Sequence, residues 1–148
     1  MDAKILLIDD DEDDRDFFRE AVESLTYPVR CYTLADGRTA FRRMDNHEME
    51  MPDLIFLDVN MPVMDGWDCL KYIMGKKEYR DIPVIMYSTS SYPEDISRAK
   101  ELGAFSFCTK PTEFRNLKSM LERAVGSLLD GTFSSLALES GVFIGAHS

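Results

Sequence analysis

Five short apolar runs alternate along this chain with longer stretches in which apolar residues recur with the period of a helix. Alternation of this kind is typical of parallel strands joined by crossover helices. It predicts an α/β fold with a doubly wound parallel sheet. The predicted strands are Lys4–Asp9, Val29–Leu34, Leu54–Asp58, Val84–Ser88 and Phe105–Thr109.

A helix is predicted after each strand. The first is expected to run from about Asp13 to Leu25. Asp13 and Asp14 stand at its start, where acidic side chains can cap the helix and interact favourably with the positive end of its dipole. The next three follow Asp36-Gly37, Asp65-Gly66 and Tyr92-Pro93, and the fifth runs from about Thr112 to Leu129. Apolar residues at helical spacing mark the buried faces of the first and last helices: Phe17, Phe18, Ala21, Val22, Leu25, Leu117, Leu121, Ala124, Val125 and Leu128.

The size of the chain predicts one domain. Its 148 residues, 45% of them hydrophobic, suffice for a single core of ordinary size. The domain is expected over residues 1–129 and a tail over residues 130–148. The tail is rich in Gly and Ser but also carries large apolar residues. Two interpretations of it stay open, a mobile segment or a segment that packs on the domain or on a partner.

The net negative charge of the chain argues against one class of partner, nucleic acid. A net charge of −10 argues against direct binding to nucleic acid, which needs clustered Lys and Arg. No apolar stretch is long enough for a signal peptide or a membrane span, so a soluble, cytoplasmic protein is expected. Cys31, Cys69 and Cys108 are interpreted as small buried hydrophobes, and His47 and His147 as solvated residues.

Acidic residues stand at the ends of two predicted strands. Asp9 and Asp10 follow the apolar run that ends at Ile8, and Asp58 ends the third strand. Ligands of an open parallel sheet bind beyond the carboxyl ends of its strands, where Ser88 and Lys110 also fall. The remaining acidic residues of the first run are interpreted as a solvated face: Asp11, Glu12, Asp14 and Asp16. Asp65-Gly66 is interpreted as a turn with Trp67 packed beneath it.

Three carboxylates brought together repel one another unless a cation compensates them. Mg²⁺ suits such a site, because it takes oxygen ligands and is commonly held by one or two carboxylates plus phosphate oxygens. Lys110 adds a positive charge suited to a phosphoryl group, and Ser88 adds a hydroxyl donor. These parts predict a Mg²⁺-dependent site in which a carboxylate of the protein is the nucleophile toward phosphorus.

The chain resembles the receiver domains of two-component response regulators, in particular the single-domain type, over about residues 3 to 129. The residues that carry the resemblance are Asp9-Asp10, the segment Asp58-Val59-Asn60-Met61-Pro62 with Asp65-Gly66, Ser88-Thr89, and Lys110-Pro111. The resemblance implies a flavodoxin-like (βα)5 fold with strand order 2-1-3-4-5.

The resemblance also implies a role for each matching residue. Asp58 would accept a phosphoryl group from a sensor histidine kinase or a histidine phosphotransfer protein. Asp10, Asp58 and the backbone carbonyl of Asn60 would bind Mg²⁺. Asp9 would act through a metal-bound water. Ser88 and Lys110 would hold the phosphoryl group, and Phe107 would be the switch aromatic that reports the state of Ser88.

Several alternatives stay open at this point. Thr89 is the next residue after Ser88 and could carry the switch hydroxyl instead, although the spacing from Asp58 favours Ser88. Phe107 could be plain core, and it lacks the hydroxyl of the Tyr often found there. The signal would pass to a downstream protein that the sequence does not name. A homodimer through the fourth helix, fifth strand and fifth helix, or through the tail, is a candidate assembly.

Two other functions use some of the same residues as a receiver. An aspartyl-phosphate phosphatase uses the same nucleophile and metal, but it would require an acid two positions after Asp58, where Asn60 stands. A non-phosphorylated receiver used as an interaction module is disfavoured by the complete set of acidic, hydroxyl and lysine residues. The chain is therefore expected to be a signalling protein rather than an enzyme.

Overall fold

The computed structural model describes residues 2–135. Within them, β1 (Ala3–Ile8), β2 (Val29–Leu34), β3 (Leu54–Asp58), β4 (Val84–Ser88) and β5 (Ser106–Thr109) form one sheet. All four strand pairs are parallel, and the strand order is β2-β1-β3-β4-β5. The predicted α/β fold and the strand order are confirmed.

The described helices are α1 (Glu12–Glu23), α2 (Gly37–Asp45), α3 (Gly66–Gly75), α4 (Pro93–Glu101) and α5 (Phe114–Asp130), followed by a short 3-10 turn at Phe133–Ser135. The prediction that Asp13 and Asp14 cap α1 is wrong. Asp11 is the N-cap, and its side chain accepts the backbone N–H of Asp14. The Asp11 backbone is extended, as a cap requires, so the helix starts one residue earlier than expected.

The sheet separates two hydrophobic clusters, because successive strand residues point to opposite faces. On one face Leu7, Phe56 and Cys108 pack with α1 and α5. On the other face Ile8, Leu57 and Phe107 pack with α2, α3 and α4. We call these the α1–α5 side and the α2–α4 side.

The same alternation assigns the polar strand ends to sides of the sheet. Asp58 follows Phe56 by two residues, and Lys110 follows Cys108 by two, so both continue rows that face the α1–α5 side. Ser88 follows Met86 by two residues and shares the α2–α4 side with Phe107. Asp58 and Lys110 therefore lie on one face of the sheet, and the predicted switch residues Ser88 and Phe107 lie on the other.

The start of the predicted tail packs on the domain. Helix α5 ends at Asp130, and Gly131 follows in the left-handed conformation (φ 82°) that glycine adopts without strain. Phe133 is buried, with its ring centroid 4.7 Å from that of Phe105. The interpretation of residues 136–148 as mobile or packed lies outside the described residues, as does that of His147.

The minor sequence interpretations mostly agree with the structure. Cys69 and Cys108 are buried and His47 is exposed, but Cys31 is only half-buried on the edge strand β2. Trp67 is buried, and Asp65 caps α3 with a capping box that it shares with Asp68. Among the described residues, no helix has the length and apolar character needed to cross a membrane.

Candidate functional site

Three carboxylates meet at the carboxyl edge of the sheet. Asp9, Asp10 and Asp58 each offer an oxygen that lies within 4.8 Å of the other two. Asp9 and Asp58 are buried, and Asp10 is exposed. The structure thus brings together the three acidic residues that the sequence predicted to share a site.

Asp9 is held by hydrogen bonds to β2, to α1 and to its own loop. Its backbone N–H donates to the carbonyl of Leu34 at 3.0 Å, and its carbonyl accepts from the guanidinium of Arg15 at 2.9 Å. Its Oδ1 accepts the backbone N–H of Asp11 at 3.0 Å. Its Oδ2 is buried and lies 2.8 Å from the ammonium nitrogen of Lys110. A buried carboxylate requires such a cationic partner.

Asp58 ends β3 beside Tyr87 of β4 and is 5% exposed. The loop that follows folds back closely on it. A Cβ atom at Gly66 would lie 2.4 Å from the carbonyl oxygen of Asp58, and the Gly66 N–H donates to the carbonyl of Val59 at 3.0 Å. Glycine is required at this position because any side chain would push α3 away from the end of β3.

The loop between Asp58 and α3 contains a strained turn. The N–H of Met64 donates to the carbonyl of Pro62 at 2.8 Å, which encloses Val63 in a three-residue γ-turn. Val63 has a φ of 67° and is 82% exposed. A β-branched residue with positive φ is rare and unfavourable. Asn60, whose carbonyl is predicted to bind the metal, is exposed on the same loop.

Lys110 carries the positive charge of the site. Its Nζ donates a hydrogen bond to Asp14 at 2.8 Å, lies 2.8 Å from Oδ2 of Asp9, and lies 3.5 Å from Oδ1 of Asp58. It is also 5.5 Å from the ring centroid of Tyr87. Burial opposes the charged form, but the hydrogen bonds to Asp14 and Asp9 and the attraction of Asp9 and Asp58 raise the pKa of Lys110 above its usual value.

Asp58 is destabilised as an anion. Burial, repulsion by Asp9 and interactions with Asp10 raise the pKa of Asp58 from 3.8 to about 7, although Lys110 acts in the opposite direction. The protein alone therefore does not fully compensate the charges that it gathers here. A divalent cation would do so.

Ser88 and Lys110 are joined through the backbone. The N–H of Lys110 donates to the carbonyl of Ser88 at 2.6 Å, and the Ser88 hydroxyl oxygen accepts the N–H of Ser90 at 3.2 Å. Ser88 is buried, whereas Thr89 is exposed and lines a cavity beside Lys110. Both hydroxyls thus stand next to the site, in different surroundings.

Phe107 is fully buried among the apolar residues of the α2–α4 side. That position agrees with an inward-pointing switch aromatic and equally with ordinary core. Nearby, the guanidinium of Arg98 on α4 stacks over the indole of Trp67 on α3, 4.6 Å from the ring centroid. The sequence did not predict this contact between α3 and α4.

The interpretation of Asp14 as solvated surface is wrong. Its carboxylate is partly covered, and it bonds to Lys110 across 96 positions of sequence. A signal for this was present, because Asp14 lies four residues before Phe18 and seven before Ala21, on the inward stripe of α1. With Lys110 it lines a cavity of about 410 Å³, whose wall also includes Asp13, Phe17, Thr89, Pro111 and Thr112.

The residues present fit a hard divalent cation. The donor set is made of carboxylate oxygens, the ligands that such ions prefer. Burial and repulsion by Asp9 raise the pKa of Asp58, although Nζ of Lys110 lies 3.5 Å from its Oδ1. This indicates a site short of positive charge.

Comparison with known proteins identifies the family. The response regulator receiver domain matches residues 5–122. The probable methanogenesis regulatory protein FilR2 of Methanothrix harundinacea is 31% identical over 121 residues, which are 80% of this chain and 78% of that protein. The chain therefore belongs to the response regulator receiver domain family.

Solved structures agree with this assignment. The phosphorylated cyanobacterial phytochrome response regulator RcpA is 30% identical with a TM-score of 0.77, over 86% of this chain and 96% of that one. The Mn²⁺-bound response regulator Rcp1 has the same TM-score at 23% identity, over 93% of this chain and 99% of that one, and shows the fold.

Many relatives are longer than this chain. The chain spans 28% of one related protein-glutamate methylesterase, 36% of another from Bacillus subtilis, and 40% of a plant two-component response regulator. The similarity to them is thus to their receiver part, and the activities in their names do not follow for this chain.

Proposed function

We propose that this protein is a phosphorylation-controlled switch in which Asp58 accepts a phosphoryl group and Mg²⁺ is the cofactor. The observation that carries the proposal is the meeting of Asp58 with Asp9, Asp10 and Lys110 at one edge of the sheet. In this site Asp10, Asp58 and the backbone carbonyl of Asn60 would hold the metal, and Asp9 would assist through a water. When bound, Mg²⁺ neutralises the negative charge of the carboxylates and the phosphoryl oxygens.

In the proposed reaction a carboxylate oxygen of Asp58 attacks the phosphorus of a phosphohistidine. The new P–O bond forms as the P–N bond breaks, and the imidazole leaves with the electron pair and takes a proton. Asp58 must be ionised to attack, and the nearby charge of Lys110 favours this form by lowering the pKa that burial and Asp9 raise. Lys110 pairs with the charge on the phosphoryl oxygens.

The signal then passes to the α2–α4 side of the sheet. The Ser88 hydroxyl donates a hydrogen bond to the phosphoryl group. This bond draws the loop after β4 toward Asp58. Because Phe107 and Ser88 share that side, a shift of Ser88 changes the space around the Phe107 ring. Ser88 is the switch hydroxyl in this proposal, because it continues the strand row that contains Met86.

The proposed donor is a sensor histidine kinase or a histidine phosphotransfer protein, and the proposed receiver of the signal is another protein. The proposal places both reactions in the cytoplasm. Family membership supports a phosphohistidine donor, since receivers are the phosphoryl-accepting components of two-component systems. A homodimer through α4, β5 and α5 stays a prediction.

Incubation with acetyl phosphate and Mg²⁺ tests the proposal. Intact-mass analysis should show one added phosphoryl group on the wild-type protein. The group should be absent in Asp58→Asn and absent when the divalent metal is chelated. Asp53→Asn is a matched control, because Asp53 lies outside the cluster and bonds to the N–H of Lys4. Unchanged labelling in Asp58→Asn contradicts the proposal, and sustained turnover of an external phosphate ester would instead indicate a phosphatase.

A further inference from the structure

Lys110 has more carboxylate partners than the proposed phosphoryl chemistry needs. Its Nζ lies 2.8 Å from both Asp9 and Asp14 but 3.5 Å from Asp58. Asp9 and Asp58 belong to the carboxylate cluster, and Asp14 does not. Asp14 stands on the first turn of α1, and its side chain is 37% exposed where that of Lys110 is 10% exposed.

Two of these contacts are equally short. Nζ donates a hydrogen bond to Oδ2 of Asp14 at 2.8 Å and lies 2.8 Å from Oδ2 of Asp9 in an ion pair. Charge-assisted contacts of this kind are among the stronger polar interactions of a protein. In the unphosphorylated protein Asp14 therefore helps to hold Lys110 away from Asp58, whose nearest oxygen lies 3.5 Å from Nζ.

Phosphorylation of Asp58 would introduce anionic oxygens that also attract Nζ. An ammonium group has three donors on a flexible stem, so Lys110 can exchange one partner for another. Asp14 competes with the phosphoryl group for this cation, and its own negative charge faces the same cavity. Both effects favour the unphosphorylated state.

We propose that Asp14 is a positioning residue that restrains Lys110 and thereby lowers the rate and extent of Asp58 phosphorylation. This inference rests on the proposed function. In this proposal Asp14 opposes phosphorylation, whereas the neighbouring residues that bind the metal and the phosphoryl group promote it. Releasing Asp14 from Lys110 is then one of the structural changes that accompany phosphorylation.

The first test compares Asp14→Asn with Asp13→Asn. Both remove one negative charge from the first turn of α1 and from the lining of the same cavity. Neither removes the helix cap, because the bond to Asp11 uses the backbone N–H of Asp14. Asp14→Asn should raise the initial rate of phosphorylation by acetyl phosphate about three- to tenfold, the range expected for one ordinary hydrogen bond, because solvent at the 37% exposed Asp14 weakens the charge assistance. Asp13→Asn should change it less than about twofold.

A double-mutant cycle separates the restraint of Lys110 from a general effect of charge. In a Lys110→Ala background, Asp14→Asn should have no further effect beyond that of Asp13→Asn, because the cation through which Asp14 acts is gone. A gain that persists without Lys110, or a gain of the same size in Asp13→Asn, overturns the proposal. Thermal unfolding of each variant checks that the fold is retained.

A structural readout does not depend on activity. With Mg²⁺ and beryllofluoride as the phosphoryl analogue on wild-type protein, Nζ of Lys110 should leave Asp14 and contact the fluoride atoms. A crystal structure in which the bond between Lys110 and Asp14 persists overturns the proposal. If wild-type protein is never phosphorylated and never binds beryllofluoride, the proposed function fails. If wild type is phosphorylated but Asp14→Asn equals Asp13→Asn, only the role of Asp14 fails.

Discussion

Helices α5 and α4 are attached to the sheet very differently. Over its seventeen residues, all within the described part of the chain, α5 buries Leu117, Met120, Leu121, Ala124, Val125 and Ser127. Of the nine residues of α4, all of them described, only Ala99 is buried. Elements with few buried contacts open and shift at lower free-energy cost. We therefore expect α4, on the Ser88 side, to shift at lower free-energy cost than α5, on the side of Asp58 and Lys110.

This difference matches the division of labour proposed for the site. The geometry of Asp9, Asp58 and Lys110 must be kept within tenths of an ångström, and these residues continue strand rows packed by α1 and α5. Ser88 and Phe107 lie on the side of α4, where a local change can be passed on. Both sides of the sheet have a buried apolar cluster, so the difference between them lies in α4, which buries one residue.

The largest expected effect on stability comes from truncating a buried side chain of α5, and it tests how firmly that helix packs on the sheet. Leu121→Ala should lower the free energy of unfolding by about 3 kcal/mol, because it leaves a cavity in a fully buried cluster. The matched change in α4, Ile96→Ala, should cost about 1 kcal/mol or less, since Ile96 is only partly buried. Urea unfolding measures both values. Equal costs would contradict the contrast between the two helices.

The raised pKa of Asp58 should make the stability of the protein depend on pH. Because the pKa of Asp58 is raised to about 7 in the folded protein, the folded state binds more protons than the unfolded state between about pH 4 and 7. Without divalent metal, the free energy of unfolding should therefore fall as the pH rises through this window. Asp58→Asn removes the ionised group and should stabilise the protein at pH 8 by about 1–3 kcal/mol.

Thermal unfolding in a chelating buffer at several pH values measures this effect. Mg²⁺ should stabilise the wild-type protein and reduce the advantage of Asp58→Asn. Glu101→Gln serves as the control, since Glu101 is an exposed carboxylate at the end of α4. A wild-type protein whose stability rises between pH 5 and 8 without metal would show that the carboxylates are already compensated.

A smaller effect is expected in the loop that leads from Asp58 to α3. Val63→Gly should stabilise the protein by about 1 kcal/mol, because glycine adopts the positive φ of the γ-turn without strain. Val63→Ala should recover less of this free energy, since alanine still has a Cβ atom in the left-handed region. Comparison of the two denaturation midpoints measures the difference. A loss of stability in Val63→Gly would show that the turn is not strained.

The smallest effect on stability is expected on α4 itself. Arg98→Ala should change the free energy of unfolding by less than about 0.5 kcal/mol, because Arg98 is exposed. It should nevertheless shift the fluorescence of Trp67, the single tryptophan of the chain, to longer wavelength, since the guanidinium covers the indole. Lys100→Ala on the same helix should leave the emission unchanged. Unshifted emission in Arg98→Ala would mean that Arg98 does not shield Trp67.

Most of the fold and the centre of the site could be predicted from residue order. The five alternations placed the strands to within one residue at either end, because buried parallel strands need short continuous apolar runs. The convergence of Asp9, Asp10 and Asp58 followed from a topological rule, since the carboxyl ends of parallel strands share an edge. Strand order itself came from the resemblance to receivers.

Other features were beyond local reasoning. The cap of α1 at Asp11 rather than at Asp13 or Asp14 depends on which carboxylate oxygen reaches a free N–H, a choice between adjacent acidic residues of similar propensity. The contacts of Lys110 with Asp14 and of Arg98 with Trp67 join residues on different elements. Their existence depends on helix positions that periodicity does not specify.

The order of apolar and acidic residues by itself determined the class of fold and the edge of the sheet where Asp9, Asp10 and Asp58 meet. These properties depend on hydrophobic burial and on the direction of parallel strands, both of which are written in the local pattern. Only the tertiary structure decided which of the crowded carboxylates holds Lys110, how tightly each helix is attached, and where the backbone is strained. Those outcomes differ by tenths of an ångström and a few kcal/mol, and they are settled by packing between elements far apart in sequence.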